Sequence, residues 1–169
     1  GWATHPAYSP SGQWLAARGI LEPEPLDDVS PGVLVGPADG SRPPHALAPD
    51  LDRPVGNWTD TDMNGWMVTG RHGPLWLDDG TIIATVSDRG RSHPMRFRVD
   101  PLDGRPIDPP GPPPRDGHGP WSDATTHTVS VARTGAIAVL GTLGVRAQEL
   151  MTLDTDRQGA PAWRTRTTL

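Results

Sequence analysis

The sequence of 169 residues contains no cysteine and no lysine, so all 15 of its basic residues are arginine. Without cysteine the chain has no disulfide, no thiolate metal ligand and no cysteine nucleophile. This absence fits a reducing compartment, and we therefore favour a cytoplasmic location. The missing lysine is explained most simply by the base composition of a GC-rich genome, and it carries little functional information.

The sequence also lacks the marks of membrane and nucleic-acid-binding proteins. No segment approaches the ~18 consecutive apolar residues of a membrane span, and the first residues do not resemble a signal peptide. The formal net charge of −5 disfavours a nucleic-acid surface, because such surfaces need clustered cations. We expect neither nucleic acid nor membrane as a partner. Because the sequence starts at Gly1 without an initiator Met, we expect a piece of a longer protein.

Glycine and proline are abundant, with 20 and 21 residues. This content is near the level at which composition begins to suggest disorder. Seven tryptophans and several strand-like apolar runs argue for order, because disordered chains lack large apolar groups. The composition therefore favours an all-β protein in which ordered strands are joined by long irregular loops.

Three segments share one pattern, in which a strand, a short polar turn containing glycine and a second strand follow each other. They are residues 7–16, 75–84 and 129–139, with Gly12, Gly80 and Gly135 as the turn glycines. The third copy lacks the aromatic residue before the turn. Since one such hairpin unit cannot bury its own apolar face, repeats of this kind stack on one another. We expect the three glycines to be essential for architecture.

The repeats predict about three four-stranded antiparallel blades, which would form part of a β-propeller ring. The blades span residues 2–58, 73–108 and 126–169, with loop insertions at 59–72 and 109–125. The predicted strands are 6–9, 14–18, 32–37 and 44–48; 74–77, 81–87 and 95–100, with a short fourth after the turn at 102–105; and 127–132, 136–142, 149–154 and 162–167. Residues 136–140 are apolar without alternation, which predicts burial on both faces.

Residues 8–16 (YSPSGQWLA) resemble the aromatic-Ser-Pro-Asp-Gly-x-x-Leu-Ala signature of the propeller repeats found in TolB-like proteins and prolyl-oligopeptidase-like serine peptidases. Ser11 stands where the signature usually has Asp. Residues 75–83, followed by 86–90 (VSDRG), are similar to the blade pattern of the peptidases. Residues 163–169 resemble the last propeller strand, which leads into the hydrolase domain of those enzymes.

In the peptidase family the propeller sits over an α/β-hydrolase domain and restricts access to a Ser-Asp-His site, so that short peptides are favoured. This chain has no Gly-x-Ser-x-Gly nucleophile elbow. Three blades are fewer than the ~4 that close a ring, so we expect either a fragment of a longer protein or a chain that completes its ring with another copy. The resemblance therefore implies a non-catalytic gating domain without a cofactor. Its partners would be a hydrolase domain of the same protein or further blades, together with short peptides. The alternatives are a TolB-like propeller that binds a protein partner and a structural propeller of unrelated parentage.

Two groups of residues remain as candidate sites. Trp58, Trp66 and Trp121 lie outside the predicted strands, in loops at the ends of the blades. If they cluster, they would bind peptide or sugar; the interpretation we weight more heavily is that they fill gaps between blades. His118 and His127, with Asp123 between them, have side chains that can ligate zinc. Their spacing fits no helix face, so we predict no metal site there.

Overall fold

A computed structural model describes residues 1–21, 30–58, 73–108, 124–132, 134, 136–143, 148–155 and 161–167. Within these residues the chain forms eleven β-strands and no helix. The strands are β1 (Trp2–Tyr8), β2 (Trp14–Ile20), β3 (Gly32–Pro37), β4 (His45–Ala46), β5 (Leu75–Asp78), β6 (Thr81–Asp88), β7 (Arg91–Arg98), β8 (Ala124–Val131), β9 (Ile137–Leu143), β10 (Glu149–Thr155) and β11 (Pro161–Thr165).

These strands form three antiparallel sheets, in which each strand pairs with the next one along the chain. The first sheet contains β1 to β4, the second β5 to β7 and the third β8 to β11. The all-β class and the three antiparallel units predicted from the sequence are thus confirmed. The predicted insertion at 59–72 lies outside the described residues, as do residues 109–123 of the second insertion. Residues 124 and 125, which were predicted to end that insertion, belong to β8.

The fourth strand predicted for the second sheet is almost absent. After the turn at 102–105 the chain makes a single bridge between Val99 and Pro106, and the Ile107 amide donates to the Arg98 carbonyl at 3.1 Å. Pro106 has no N–H with which to extend the ladder. The second sheet therefore has three full strands rather than four.

The first and second sheets pack face to face through an apolar core. Its largest buried side chains from the first sheet are Trp14, Val33 and Val35. Ile82 and Phe97 contribute from the second sheet. Since alternate residues of a strand point to opposite faces, Ile82 and its alternate neighbours along β6 serve this core.

The other face of β6 serves a second core. Ile83 is 1% exposed and packs against Val129, Ile137, Val139 and Met151 of the third sheet. The middle sheet therefore lies between the other two. The first strands of the three sheets are also neighbours, because β5 contacts both β1 and β8.

The turns that contain Gly12 and Gly80 occupy equivalent places, between the first and second strands of their sheets. Their conformations differ, however. Gly12 has a φ of 74° and its amide donates to the Ser9 carbonyl at 2.9 Å, whereas Gly80 follows Asp79 in a two-residue turn and its φ is not positive. The shared pattern of strand, turn and strand is therefore present in both sheets, but the two turns differ in length and in backbone conformation. Gly135 lies outside the described residues, and the essential role of the three glycines stays a prediction.

Candidate functional site: a tryptophan and arginine cluster

Each sheet has two ends, and the candidate site lies at the end opposite the turns of Gly12 and Gly80. Trp2 begins β1 and pairs with Ile20, while Thr4 pairs with Arg18, so Trp2 and Arg18 lie diagonally across this hairpin. The third member, Trp58, comes from the segment after the first sheet. That segment crosses to the second sheet, where Val55 forms a bridge with Val86 of β6.

The guanidinium of Arg18 lies over two indole rings. Its central carbon is 5.7 Å from the centroid of the Trp2 ring and 5.5 Å from that of Trp58. Both distances are within the ~6 Å at which a cation is attracted to an aromatic face. Trp2 is 40% exposed and Trp58 is 56% exposed. We call these three residues the Trp–Arg cluster; it pairs a stacked cation with large solvent-exposed apolar surfaces.

Hydrogen bonds fix Trp58 in place even though more than half of it is exposed. Its indole Nε1 donates to the Val55 carbonyl at 3.2 Å, and its backbone amide donates to Ser87 Oγ at 2.8 Å. The Ser87 hydroxyl in turn donates to the carbonyl of Gly56 at 2.9 Å. The second sheet thus orients a ring that belongs to the connecting segment.

The cluster depends on glycine at position 56. Gly56 has a φ of 114°, which side-chain-bearing residues rarely adopt. A Cβ atom there would lie 2.6 Å from Arg18 Nη1 and 3.2 Å from Trp58 Nε1. Glycine therefore provides both the backbone conformation and the space that the stacked guanidinium occupies.

No carboxylate among the described residues pairs with Arg18. The arginines that form ion pairs among the described residues are Arg53, Arg98 and Arg105, and Arg53 Nε lies 2.6 Å from Asp88 Oδ1. The Nε of Arg18 is buried without a hydrogen-bond partner. Burial lowers the pKa of Arg18, because removing the guanidinium from water disfavours its charged form.

Of the tryptophans predicted to lie on the surface, Trp58 is exposed and belongs to the cluster. Trp66 and Trp121 lie outside the described residues. Two tryptophans within strands fill space between the first two sheets: Trp14 Nε1 donates to the Pro101 carbonyl at 3.0 Å, and Trp76 Nε1 donates to the Ala7 carbonyl at 2.9 Å. Trp14 and Trp76 were not among the three candidates, so the two interpretations of Trp58, Trp66 and Trp121 stay predictions.

Sequence reasoning did not identify Trp2 and Arg18 as site residues. The sequence carries no signal for this pair, because an irregularity between Thr4 and Ala7 shifts the register so that Trp2 lies diagonally opposite Arg18. Nothing in the sequence indicates that Trp58 would complete the pair, because its position depends on Gly56 and on a serine of another sheet.

A second concave region lies at the outer edge of the first two sheets. It is a cleft of about 450 Å³ beside Trp14, Arg42 and His45. The guanidinium of Arg42 lies 5.7 Å from the Trp14 ring centroid, and His45 Nε2 is 2.9 Å from the Gly104 carbonyl oxygen. These polar groups already contact the protein, so this cleft is the weaker candidate.

His127, one of the three candidate metal ligands, lies in the interior. It is 2% exposed, its Nε2 lies 3.3 Å from Thr142 Oγ1, and burial lowers its pKa. His118 and Asp123 lie outside the described residues. In the part of the chain that the structure describes, no group of three or more histidine or acidic side chains is arranged to hold a metal ion. Nor does this part contain a helix long and apolar enough to span a bilayer.

No protein-family model matches this sequence, and the search of curated proteins finds no match. The geometry of the Trp–Arg cluster is suited to binding, because aromatic faces and a cation that pairs with no carboxylate among the described residues can hold a ligand.

Proposed function

We propose that this chain forms part of a β-propeller and acts as a non-catalytic domain that gates peptide access to a hydrolase domain of the same protein. The observation that carries the proposal is the arrangement of the sheets. Three antiparallel meanders pack face to face in chain order, with their first strands side by side. This arrangement is typical of consecutive propeller blades, whose first strands surround a central axis.

The exposed face of the third sheet is consistent with a further sheet packing against it. Ala138 and Leu140 of β9 lie on the face opposite Val139, and Leu140 pairs with Leu150, which is 41% exposed. In a closed ring this face would be covered by a following blade, just as the faces of the middle sheet are covered here. The exposed leucine is thus explained by a larger ring.

The gating role is supported by the resemblance of residues 8–16 and 75–90 to the propeller repeats of prolyl-oligopeptidase-like peptidases. A domain of this kind selects substrates by size and takes no part in bond cleavage. Its expected substrates are short peptides, since a propeller admits only chains that fit between or through its blades.

The test uses the protein encoded by the complete gene. We expect residues 1–169 alone to leave a short chromogenic peptide uncleaved. We expect the complete protein to cleave it, and a version without residues 1–169 to cleave longer polypeptides as well. Turnover by the isolated chain, or unchanged size selection after the deletion, would contradict the proposal.

A TolB-like propeller that binds a protein partner is the second candidate, and the exposed Trp–Arg cluster favours it. The two functions predict different neighbouring domains in the complete protein. A hydrolase domain with a Gly-x-Ser-x-Gly elbow supports gating, whereas a complete gene that encodes only further blades supports binding.

A further inference from the structure

We infer that Trp2, Arg18 and Trp58 form a binding site for an acidic peptide segment, in which Arg18 receives a carboxylate and the two indoles receive its apolar neighbours. This inference goes beyond the proposed function. It does not depend on how many blades the ring has or on whether a hydrolase domain adjoins them.

The charge of Arg18 lacks an anion among the described residues. Arg53, Arg98 and Arg105 each lie within 4 Å of an aspartate, at distances from 2.6 to 3.8 Å. Arg18 is partly buried, and its neighbours are aromatic faces instead. Among the described residues Arg18 therefore contacts aromatic rings and no carboxylate, and its buried Nε has no hydrogen-bond partner.

Stacking leaves the binding edge of the guanidinium unused. The central carbon of the guanidinium lies over both indole rings, whereas the N–H donors of a guanidinium lie in its plane and point outward from its edges. A carboxylate approaches such an edge with two parallel hydrogen bonds. The rings hold the plane of Arg18 in place, which lowers the entropy that binding would otherwise cost.

Trp58 is exposed but rigid, and this combination favours ligand binding over random surface exposure. Two hydrogen bonds of its own, and a third from Ser87 to Gly56, fix the segment that carries it. The backbone at Gly56 adopts a conformation that only glycine adopts readily. Exposed aromatic rings held in one orientation offer large contact area at little conformational cost, as in the central residues of binding interfaces.

The chemistry favours a carboxylate of a peptide over a polyanion. Long-range repulsion from an acidic protein opposes nucleic acids and anionic surfaces. A single guanidinium matches one carboxylate, and indole faces suit the apolar or ring-shaped side chains beside it. The ligand class is therefore a peptide that contains a glutamate or aspartate next to an apolar residue.

The inference is tested by NMR titration of the Arg18 Nε–H signal and the Trp2 and Trp58 indole signals. The probes are the peptide Ala-Phe-Glu-Pro-Ala and its matched glutamine version, both with blocked ends. We expect saturable shifts with the glutamate peptide and at least tenfold weaker binding of the glutamine peptide, about 1.4 kcal/mol in free energy. Because this comparison uses the native protein, it does not depend on any variant folding.

Three variants complete the test. Arg18→Met is expected to abolish the difference between the two peptides, and Trp58→Ala to weaken binding of the glutamate peptide about tenfold or more. Tyr8→Ala is the matched control, because Tyr8 is a 66% exposed aromatic residue at the opposite end of β1; it should bind like the native protein.

Three results would overturn the inference. They are equal affinity for both peptides, no saturable shift at millimolar peptide, and tighter binding of inorganic phosphate than of the glutamate peptide. The last result would assign the cluster to a different class of anion.

Discussion

The two interfaces between the sheets are built from different chemistry. Between the first and second sheets the buried side chains are apolar, and Trp14, only 4% exposed, is the largest of them. Between the second and third sheets the apolar core is smaller, and fully buried polar residues accompany it. These polar residues are Ser92, Thr126, His127 and Glu149.

The polar interface depends on directed hydrogen bonds. The carbonyl oxygen of Thr126 accepts from Ser92 Oγ at 2.5 Å and from Asn57 Nδ2 at 3.3 Å, so three segments of the chain meet at one oxygen. An apolar interface is specified by volume and shape, whereas a buried polar one is costly unless each group finds its partner. The stability of the first interface should therefore be sensitive to substitutions that add side-chain atoms. That of the second should be sensitive to substitutions that remove hydrogen-bond donors.

The largest effect is expected at Gly104, which lies under Trp14. A Cβ atom at Gly104 would be 2.5 Å from Trp14 Cζ3, and Gly104 has a φ of 75°. Gly104→Ala should therefore lower the free energy of unfolding by about 2–4 kcal/mol, through overpacking and backbone strain together. Gly40→Ala is the control, because Gly40 has a φ of 70° but open space around it. If urea unfolding shows the same loss of unfolding free energy for both variants, the contact with Trp14 does not contribute to the effect.

The second effect tests the polar interface. Ser92→Ala removes a buried donor to the Thr126 carbonyl and should cost about 1–2 kcal/mol in the free energy of unfolding. Ser130→Ala, at an exposed position of β8, should cost less than about 0.5 kcal/mol. If the two serine variants unfold at the same urea concentration, the hydrogen bond at this interface does not stabilise the fold.

The third effect is a pH dependence confined to the polar interface. Burial lowers the pKa of His127 in the folded state, while its unfolded value is about 6.5. Between these two values the unfolded chain binds more protons, so stability is full above about pH 6.5 and declines as the pH falls below it. His127→Gln should flatten this decline in urea unfolding between pH 7.5 and 5. If the free energy of unfolding of the variant depends on pH as steeply as that of the native protein, His127 does not cause the decline.

The smallest effect is expected at Asp79, where the turns of the first two sheets meet. The Ser11 amide donates to Asp79 Oδ1 at 2.9 Å, and hydrogen bonds from Ser11 and Ser9 lower the pKa of Asp79. Its stabilising contribution is therefore present above its unfolded pKa of about 3.9 and is lost as the pH falls through the folded value. Because solvent reaches this carboxylate, Asp79→Asn should cost less than about 1 kcal/mol at pH 7.

The difference in unfolding free energy between native and Asp79→Asn protein should shrink as the pH is lowered below about 4. A difference that stays constant down to pH 3 would mean that Asp79 acts through something other than its charge.

The sequence predicted the strands well where alternation and turn residues agree. β3 (Gly32–Pro37) matches the predicted 32–37, and β6 extends the predicted 81–87 by one residue. β7 was predicted to begin at 95, but it begins at Arg91 because it follows a two-residue turn at Arg89 and Gly90. Pro94 within it is tolerated, since most of β7 has no strand on its far side.

Burial was harder to predict than strand position, because it depends on what covers each face. Residues 136–140 were expected to be buried on both faces. In the structure Ile137 and Val139 are buried, whereas Ala138 and Leu140 are partly exposed. β6 has both faces covered, since its sheet lies between two others. Sequence alone does not say which of several similar sheets lies in the middle.

The candidate site was predicted in part. Trp58 stood out as an aromatic residue in a loop. Its pairing with Arg18 requires the chain to cross from the first sheet to the second at Val55, with glycine next in the chain. Contacts between segments so far apart in sequence are set by tertiary packing, which local patterns do not encode.

The length of the outermost strand of the first sheet bears on aggregation between copies of the protein. β4, the outermost strand of the first sheet, has only two residues and follows Pro43 and Pro44. Short, proline-flanked margins give a foreign strand few free N–H and C=O groups on which to align. This margin therefore hinders the pairing of another chain with the edge of the first sheet, which is the kind of pairing that leads to fibrils.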